Sequence, residues 1–172
     1  DFLNKEKWKT FDDQIDISEF DDIINSLFPE KQEECDQVID LPREFVSLCN
    51  NNSDLISKKP RNYLSSREIT RQDILFWKIG YCPSGEYSGR IIIPSFNDDG
   101  YCNFFIARSY DGNWRKYMNP KSAKSKIIFN ELYVNWDEDI ILTEGVFDAI
   151  VAGKNSIPIL GSSLQETSKL FK

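Results

Sequence analysis

The stretch from Asp139 to Leu160 constrains the fold more than any other part of this sequence. It reads DIILTEGVFDAIVAGKNSIPIL. The runs DIILT and IPIL have the length of strands and do not alternate between apolar and polar residues. Between them, VFDAIVAGK predicts a short helix that ends at Gly153. Apolar strands on either side of a helix favour an α/β unit whose parallel strands are buried on both faces. The following GSSLQETSKLF predicts a loop and the start of another helix.

Two carboxylates stand where the first of these strands ends. Glu144 follows the strand directly, Gly145 comes next, and Asp148 lies four residues after Glu144, in the first turn of the predicted helix. Ligands of open α/β sheets bind outside the carboxyl ends of the strands, and two carboxylates there can hold Mg²⁺ together with substrate phosphates. On the residues alone a second interpretation stays open, in which Glu144 caps the helix and Asp148 is an ordinary surface acid.

Three runs with a period of two precede this unit: RIIIPSF, YCNFFIARS and WRKYM. Turn signals at 97–100 and 111–112 predict that they form two hairpins. The turns also predict a register in which Arg90 faces Ala107 and Ala107 faces Lys116. Neighbouring strands lie ~4.8 Å apart, so Arg90 and Lys116 would share one face, on the order of 10 Å from each other. Arg108 would point to the opposite face, unless a bulge turns it.

Like charges on one rung of a sheet repel each other, so a bound anion would explain why Arg90 and Lys116 lie on the same rung. Two edge charges that reach solvent would explain them as well. The net charge of −7 argues against a protein that binds nucleic acid with its whole surface, but the charge is unevenly spread. Residues 1–59 carry a net charge of −8, whereas residues 100–130 hold six bases and one acid. This basic segment fits either a solvated face or an anion site.

Upstream, residues 1–16 are predicted to form a polar arm and SEFDDIINSLF a short helix, before a globular region that begins near Leu41. NYLSSREITRQDILFWKIGYCP predicts two helices. The second has Thr70 as its N-cap, and Gly80 and Pro83 close it. Its predicted buried residues are Ile74, Leu75 and Trp77.

Several kinds of chemistry are excluded by composition. The chain has no histidine, and its four cysteines show no CxxC spacing. Ser-His-Asp and Cys-His catalysis are therefore ruled out, and a zinc site within the chain is not expected. No apolar run approaches the ~18 residues that span a bilayer. The N-terminal residues do not resemble a signal peptide. We therefore expect a cytoplasmic protein without a membrane partner.

Five segments between about residues 60 and 165 together resemble the DnaG-type primases of bacteria and phages, in order and in spacing. ILTEGVFDAI followed by IPILGSSL resembles the start of that family's TOPRIM domain, and YLSSREITRQDILFWKIGYCP resembles its YL-x-x-R-x-I segment with GY-x-P. GRIIIPSFNDDGYCNFFIAR resembles its strand led by arginine, its hairpin and its second arginine. RKYMNP resembles its KYLN motif, and KSKIIFN its second lysine motif, with Asn130 where the family usually has glycine. Short loops and divergence favour a phage protein.

The resemblance implies synthesis of short RNA primers on single-stranded DNA by a mixed α/β polymerase core. That core would be an N-terminal subdomain with antiparallel hairpins, followed by a partial, Rossmann-like TOPRIM domain. Glu144 and Asp148 would be the catalytic acids and would hold Mg²⁺ or Mn²⁺. Ribonucleotides, the single-stranded DNA template and a replicative helicase are the implied partners. The implied contacts to nucleotide phosphates or template are Arg90, Arg108, Lys116 and Lys124.

The implied organisation has three parts: an acidic arm and linker helix (1–40), the N-terminal subdomain (41–132) and a truncated TOPRIM domain (133–172). The family's zinc-binding domain is expected before residue 1, and its catalytic Asp-x-Asp motif, which would complete the metal site, after residue 172. The chain is therefore expected to be a fragment that makes no primers by itself. Two alternatives stay open: another TOPRIM enzyme, either a topoisomerase or a nuclease, and a non-catalytic module that binds DNA or a helicase.

Overall fold

The structure is a computed structural model that describes residues 38–50, 55–122, 124–161 and 168–171. The polar arm and the helix predicted over SEFDDIINSLF lie outside the described residues. Within the described ranges, no helix has both the length and the apolar character that crossing a membrane requires.

A four-stranded antiparallel sheet forms the larger part of the described structure. Its strands follow one another in chain order, and every neighbouring pair is antiparallel. The predicted runs RIIIPSF and YCNFFIARS form its two long strands. The four strands are β1 (Val46–Ser47), β2 (Gly80–Cys82), β3 (Arg90–Phe96) and β4 (Cys102–Ser109).

Both faces of this sheet are covered, which explains why β3 is almost continuously apolar. Ile91 and Ile93 point into the main core, which the helices and the βα unit complete. Ile92 and Phe105 point to the other face, into a smaller cluster with Phe45 at its edge. Burying a side chain of this size stabilises the fold by about 1.5–3 kcal/mol. Burial of alternate residues on opposite faces therefore fixes the sheet between two apolar layers.

Two helices lie on the main-core side, α1 (Leu55–Ser65) and α2 (Arg71–Phe76). The predicted N-cap of α2 is confirmed: the Thr70 hydroxyl accepts a hydrogen bond from the backbone N–H of Asp73, and the Asp73 carboxylate accepts one from the N–H of Thr70. Ile74 and Trp77 are buried as predicted.

Two details of the α2 prediction are wrong. Leu75 is 41% exposed, because the short helix turns this position away from the core. The helix ends at Phe76 rather than near Gly80, because Lys78 takes a left-handed conformation with a φ of 52°. Gly80 instead begins β2, directly against the ring of Phe45.

The predicted strand-helix-strand unit is present, as β5 (Ile141–Thr143), α3 (Val146–Ala152) and β6 (Ser156–Pro158). Its two strands are parallel, and Gly153 ends the helix, both as predicted. The expected burial of both faces is wrong for β5, where Ile141 and Leu142 are 47% and 49% exposed. Within the described residues this sheet has two strands, so β5 lies at its edge. Three short 3-10 helices complete the structure: Lys124–Lys126, Glu131–Tyr133 and Lys169–Phe171.

Candidate active site and nucleic-acid interface

The register of β3 and β4 differs from the predicted one. Arg90 lies opposite Ser109 rather than Ala107. The turn between the strands is one residue longer than predicted, since Phe96 pairs with Cys102, and a bulge next to this pair inserts another residue into β4. Each change moves the pairing by one residue. Together they move the partner of Arg90 by two positions, which keeps the side chains of β4 from Phe104 to Ser109 on their predicted faces.

The third predicted strand, WRKYM, is not a strand. The segment makes a single antiparallel bridge to β4, between Arg108 and Tyr117, with backbone hydrogen bonds on either side. One of these bonds joins the N–H of Ser109 to the carbonyl of Lys116, at 2.9 Å. Arg90 and Lys116 therefore do flank one small residue, but that residue is a serine and not the predicted alanine.

Arg90 is only 4% exposed, so it is a buried cation. Its Nη1 donates to the carbonyl oxygen of Lys116 at 3.4 Å, which ties β3 to the segment after β4. Burial lowers the pKa of Arg90, and the nearby guanidinium of Arg115 lowers it further, while the carboxylate of Asp111 acts in the opposite direction. A phosphate could reach Arg90 directly only if this corner of the sheet opened.

Arg108 lies on the opposite face of the sheet, toward α1 and α3. Its Nε donates to the hydroxyl of Tyr63 at 3.0 Å, and its guanidinium lies 4.6 Å from the centre of the Tyr117 ring. Burial acts to lower the pKa of Arg108, but the hydroxyl groups of Tyr63 and Tyr117 outweigh it, so the pKa is raised. This cation is permanently charged, partly exposed and held in one orientation by two tyrosines.

Tyr63 also joins Arg108 to the helix that carries Asp148. The rings of Tyr63 and Phe147 meet edge to face, with centroids 6.3 Å apart, and the guanidinium of Arg67 lies 5.0 Å and 4.8 Å from their centres. Beside them is an open pocket of about 450 Å³. Both charge signs and two aromatic rings line it, a combination that suits a ligand with a phosphate and a planar ring. The lining residues are Tyr63, Ser66, Arg67, Glu68, Phe147, Asp148 and Val151.

Sequence reasoning assigned no role to Arg67 or Tyr63. Both stand in the segment YLSSREI, whose resemblance to the primase motif YL-x-x-R-x-I was the available signal. Their partner Phe147 carried no signal of function in the sequence, because an apolar residue in an apolar helix predicts only core packing.

Glu144 and Asp148 lie at the carboxyl end of β5, as predicted. Glu144 is exposed, and Gly145, not Glu144, is the N-cap of α3, which no side chain caps. The interpretation of Glu144 as a helix cap is therefore excluded. Asp148 is exposed in the first turn, and a Cβ on Gly145 would lie 3.1 Å from its Oδ2. Glycine at this position leaves the Asp148 carboxylate free to approach the backbone of the turn.

The two acids offer oxygen ligands of the kind that Mg²⁺ and Mn²⁺ prefer, on a surface open to substrate. Across the described ranges, however, no group of three or more histidine, cysteine, aspartate or glutamate side chains converges on one point. Glu144 and Asp148 could therefore supply at most two ligands of a metal site, and water, substrate phosphates or further acids would have to supply the others.

The remaining predicted residue, Lys124, lies near the end of β6. Its Nζ donates to the carbonyl oxygen of Leu160 at 3.2 Å, so the basic segment reaches the loop that follows the parallel strands. Nearby Asn130 adopts a left-handed conformation, with a φ of 61°. Asparagine tolerates this conformation better than most residues, which explains how it stands where the primase family usually has glycine.

Comparisons with known proteins agree on one fold. A DNA primase from Thermotoga maritima is 26% identical to this chain, and the match covers 66% of this chain and 28% of that protein. The solved DnaG primase catalytic domain bound to ssDNA superposes with a TM-score of 0.58 at 17% identity, over 67% of this chain and 50% of the solved one. The RNA polymerase domain of Mycobacterium tuberculosis DnaG superposes with a TM-score of 0.58 at 18% identity. The match covers 69% of this chain and 54% of the solved one.

This chain has the fold of the DnaG primase catalytic core. The resemblance to DnaG-type primases predicted from the five segments is therefore confirmed. The chain spans about half the length of the solved primase domains and 28% of the curated primase. No protein-family model matches it. As predicted, the primase fold here combines mixed α and β elements with an antiparallel sheet.

Proposed function

We propose that this chain is part of a DnaG-type primase, a DNA-directed RNA polymerase that synthesises short RNA primers on single-stranded DNA during replication. The observation that carries the proposal is the contact through Tyr63. It joins Arg108 of the antiparallel sheet to α3, the helix that bears Asp148. Phosphoryl transfer depends chiefly on positioning and on charge stabilisation. This contact fixes Arg108 beside a pocket that Arg67, Glu68 and Asp148 line.

In this proposal the unit β5-α3-β6 is the start of a TOPRIM domain (133–172), and the antiparallel sheet belongs to the N-terminal subdomain (41–132). Residues 1–40 would be a linker that precedes both. The exposed acids at the end of β5 support this assignment, because strand ends of α/β units are where ligands bind. A replicative helicase remains a proposed partner, as do ribonucleotides.

We assign the residues as follows. Glu144 and Asp148 would hold Mg²⁺ or Mn²⁺, whose chemistry is to neutralise charge on the reacting phosphates. Arg67 would hold a nucleotide phosphate at the pocket, with Tyr63 and Phe147 keeping its guanidinium in place. Arg108, which Tyr63 and Tyr117 hold outside the pocket lining, would bind a neighbouring phosphate. Lys116 and Lys124 are exposed cations suited to template or primer phosphates. Arg90 would act indirectly, by fixing the segment that carries Lys116.

Primer synthesis by the full-length protein tests the proposal, with a single-stranded template, ribonucleoside triphosphates and Mg²⁺. Glu144→Gln keeps the size of the side chain and removes its charge. We expect the rate to fall by roughly 10²–10⁴-fold, a loss as large as that caused by removing a general acid or base. The melting temperature should stay near that of the wild type, because Glu144 is exposed.

Glu138→Gln is the matched control, since Glu138 is an exposed glutamate in the loop before β5 and should leave the rate unchanged. Near-normal primer synthesis by Glu144→Gln would end the TOPRIM interpretation. An equal loss in both variants would mean that the assay responds to net charge rather than to one carboxylate.

A further inference from the structure

Trp114 is the most exposed large apolar side chain among the described residues. It is 90% exposed, whereas Trp77 of the same fold is 2% exposed. An indole that stays in water forgoes the burial that stabilises most aromatic residues, and tryptophan is enriched at contact surfaces.

The turn that carries Trp114 is held by its own hydrogen bonds. The Ser109 hydroxyl donates to Asp111 Oδ1 at 2.8 Å and accepts from the backbone N–H of Asn113 at 3.1 Å. The side-chain oxygen of Asn113 then accepts from the N–H of Arg115 at 2.9 Å. Polar side chains thus brace the backbone on both sides of the exposed indole. The indole is presented on a defined loop rather than on a free end of the chain.

Charge around Trp114 is positive. The next two residues, Arg115 and Lys116, are exposed cations, and Asp111 is the one acid between residues 100 and 130. Two groups of the turn already bond to that carboxylate. Trp136 provides a contrast, because it is 56% exposed but is followed by Asp137, Glu138 and Asp139.

We propose that Trp114 is a stacking platform for an unpaired base of single-stranded DNA, while Arg115 and Lys116 bind the adjoining phosphates. Any base offers a π face, so an exposed indole beside cations binds single strands without reading their sequence. Duplex DNA hides those faces in its own stack, which favours a single-stranded ligand. The inference rests on the proposed primase function and names the residue that would hold the template.

The test measures binding of a short oligothymidylate to the full chain over a series of salt concentrations. Trp114→Ala should weaken binding by about tenfold or more, the usual effect of losing one stacked base. The slope of log K against log salt should not change, because no charge is lost. Lys116→Ala should lower that slope by roughly 0.7. Trp114→Tyr should recover part of the affinity, and Trp136→Ala should bind like the wild type.

Three results would overturn the inference. One is that Trp114→Ala binds oligothymidylate with wild-type affinity, which would indicate that the exposed indole contacts a protein partner instead. Another is that Trp136→Ala loses as much affinity as Trp114→Ala. The third is that Trp114→Ala also lowers the slope of log K against log salt by as much as Lys116→Ala does. None of these touches the proposed function, which depends on the Glu144 result. Dependence of primer synthesis on Glu144 together with unchanged binding by Trp114→Ala would remove the stacking platform alone.

Discussion

Basic residues that look alike in the sequence have different environments in the fold. Arg90 is buried and bonded to a backbone carbonyl, and Arg108 is held between two tyrosines. Lys116 and Lys124 are exposed. A cation contributes to counterion release only where a phosphate can approach it, so these four residues should differ in what their removal changes.

Lys116→Ala and Arg90→Ala form the sharpest pair for that comparison. Removal of the exposed Lys116 should weaken single-strand binding with little change in the free energy of unfolding. Removal of the buried Arg90 should lower that free energy by about 2 kcal/mol, since the variant loses packing and one of the two hydrogen bonds that the Lys116 carbonyl accepts. Urea unfolding and oligonucleotide titration of both variants provide the measurements. Equal unfolding midpoints would contradict the burial of Arg90.

At the scale of elements, the short strands β1 and β2 approach each other very closely. Ser47 of β1 pairs with Gly80 of β2. A Cβ built on Gly80 would lie 2.2 Å from the ring of Phe45 and 2.6 Å from the carbonyl oxygen of Val46. The glycine is therefore required by packing, and its φ is not in the left-handed region. It lets Phe45 cover the smaller cluster on the second face of the sheet.

Gly80→Ala should destabilise the fold by about 1–3 kcal/mol, the usual cost of overpacking, because both Phe45 and a backbone oxygen must move. Gly161→Ala is the matched control: among the described residues no atom lies within 4 Å of its added Cβ, and its φ is not in the left-handed region. That control should leave stability unchanged or raise it slightly. Thermal unfolding of the two variants decides the question, and a Gly80→Ala protein as stable as the wild type would refute the close approach.

At the scale of the whole molecule, four buried or half-buried ionisable groups among the described residues affect how stability depends on pH. Burial, with a smaller contribution from the carboxylate of Glu44, raises the pKa of Cys82 from 9.0 to about 11. Burial is also the largest cause of the raised pKa of Cys102, Tyr87 and Tyr110. All four groups are neutral in the folded protein, and all four favour their neutral form more strongly there than in the unfolded chain.

The protein should therefore lose stability at alkaline pH. A pKa raised by folding gives a contribution that is complete below the unfolded value and is lost as the pH rises through the folded value. For Cys82 this window runs from about pH 9 to about pH 11. Urea unfolding at a series of pH values should show the decline, and Cys82→Ala should make it shallower. An unchanged slope in that variant would show that Cys82 does not contribute.

Much of the local structure was determined by the sequence itself. Non-alternating apolar runs around an apolar helix predicted the parallel β5-α3-β6 unit, and Thr70 as a good N-cap predicted the start of α2. The position of Glu144 and Asp148 at the end of β5 followed from the same pattern. These features depend on neighbours within a few residues, so periodicity and capping chemistry are sufficient to predict them.

Only the tertiary structure decided which predicted residues meet. The register of β3 and β4 depended on a bulge that no local pattern marks. The segment WRKYM forms only a single bridge to β4, because the turn before it is closed by side-chain hydrogen bonds such as that from the Asn113 N–H to the Ser109 hydroxyl. The cluster that joins Arg108 to α3 brings together residues far apart in the chain. Each of its contacts is set by how the helices pack on the sheet, and such packing has no periodic signature in the sequence.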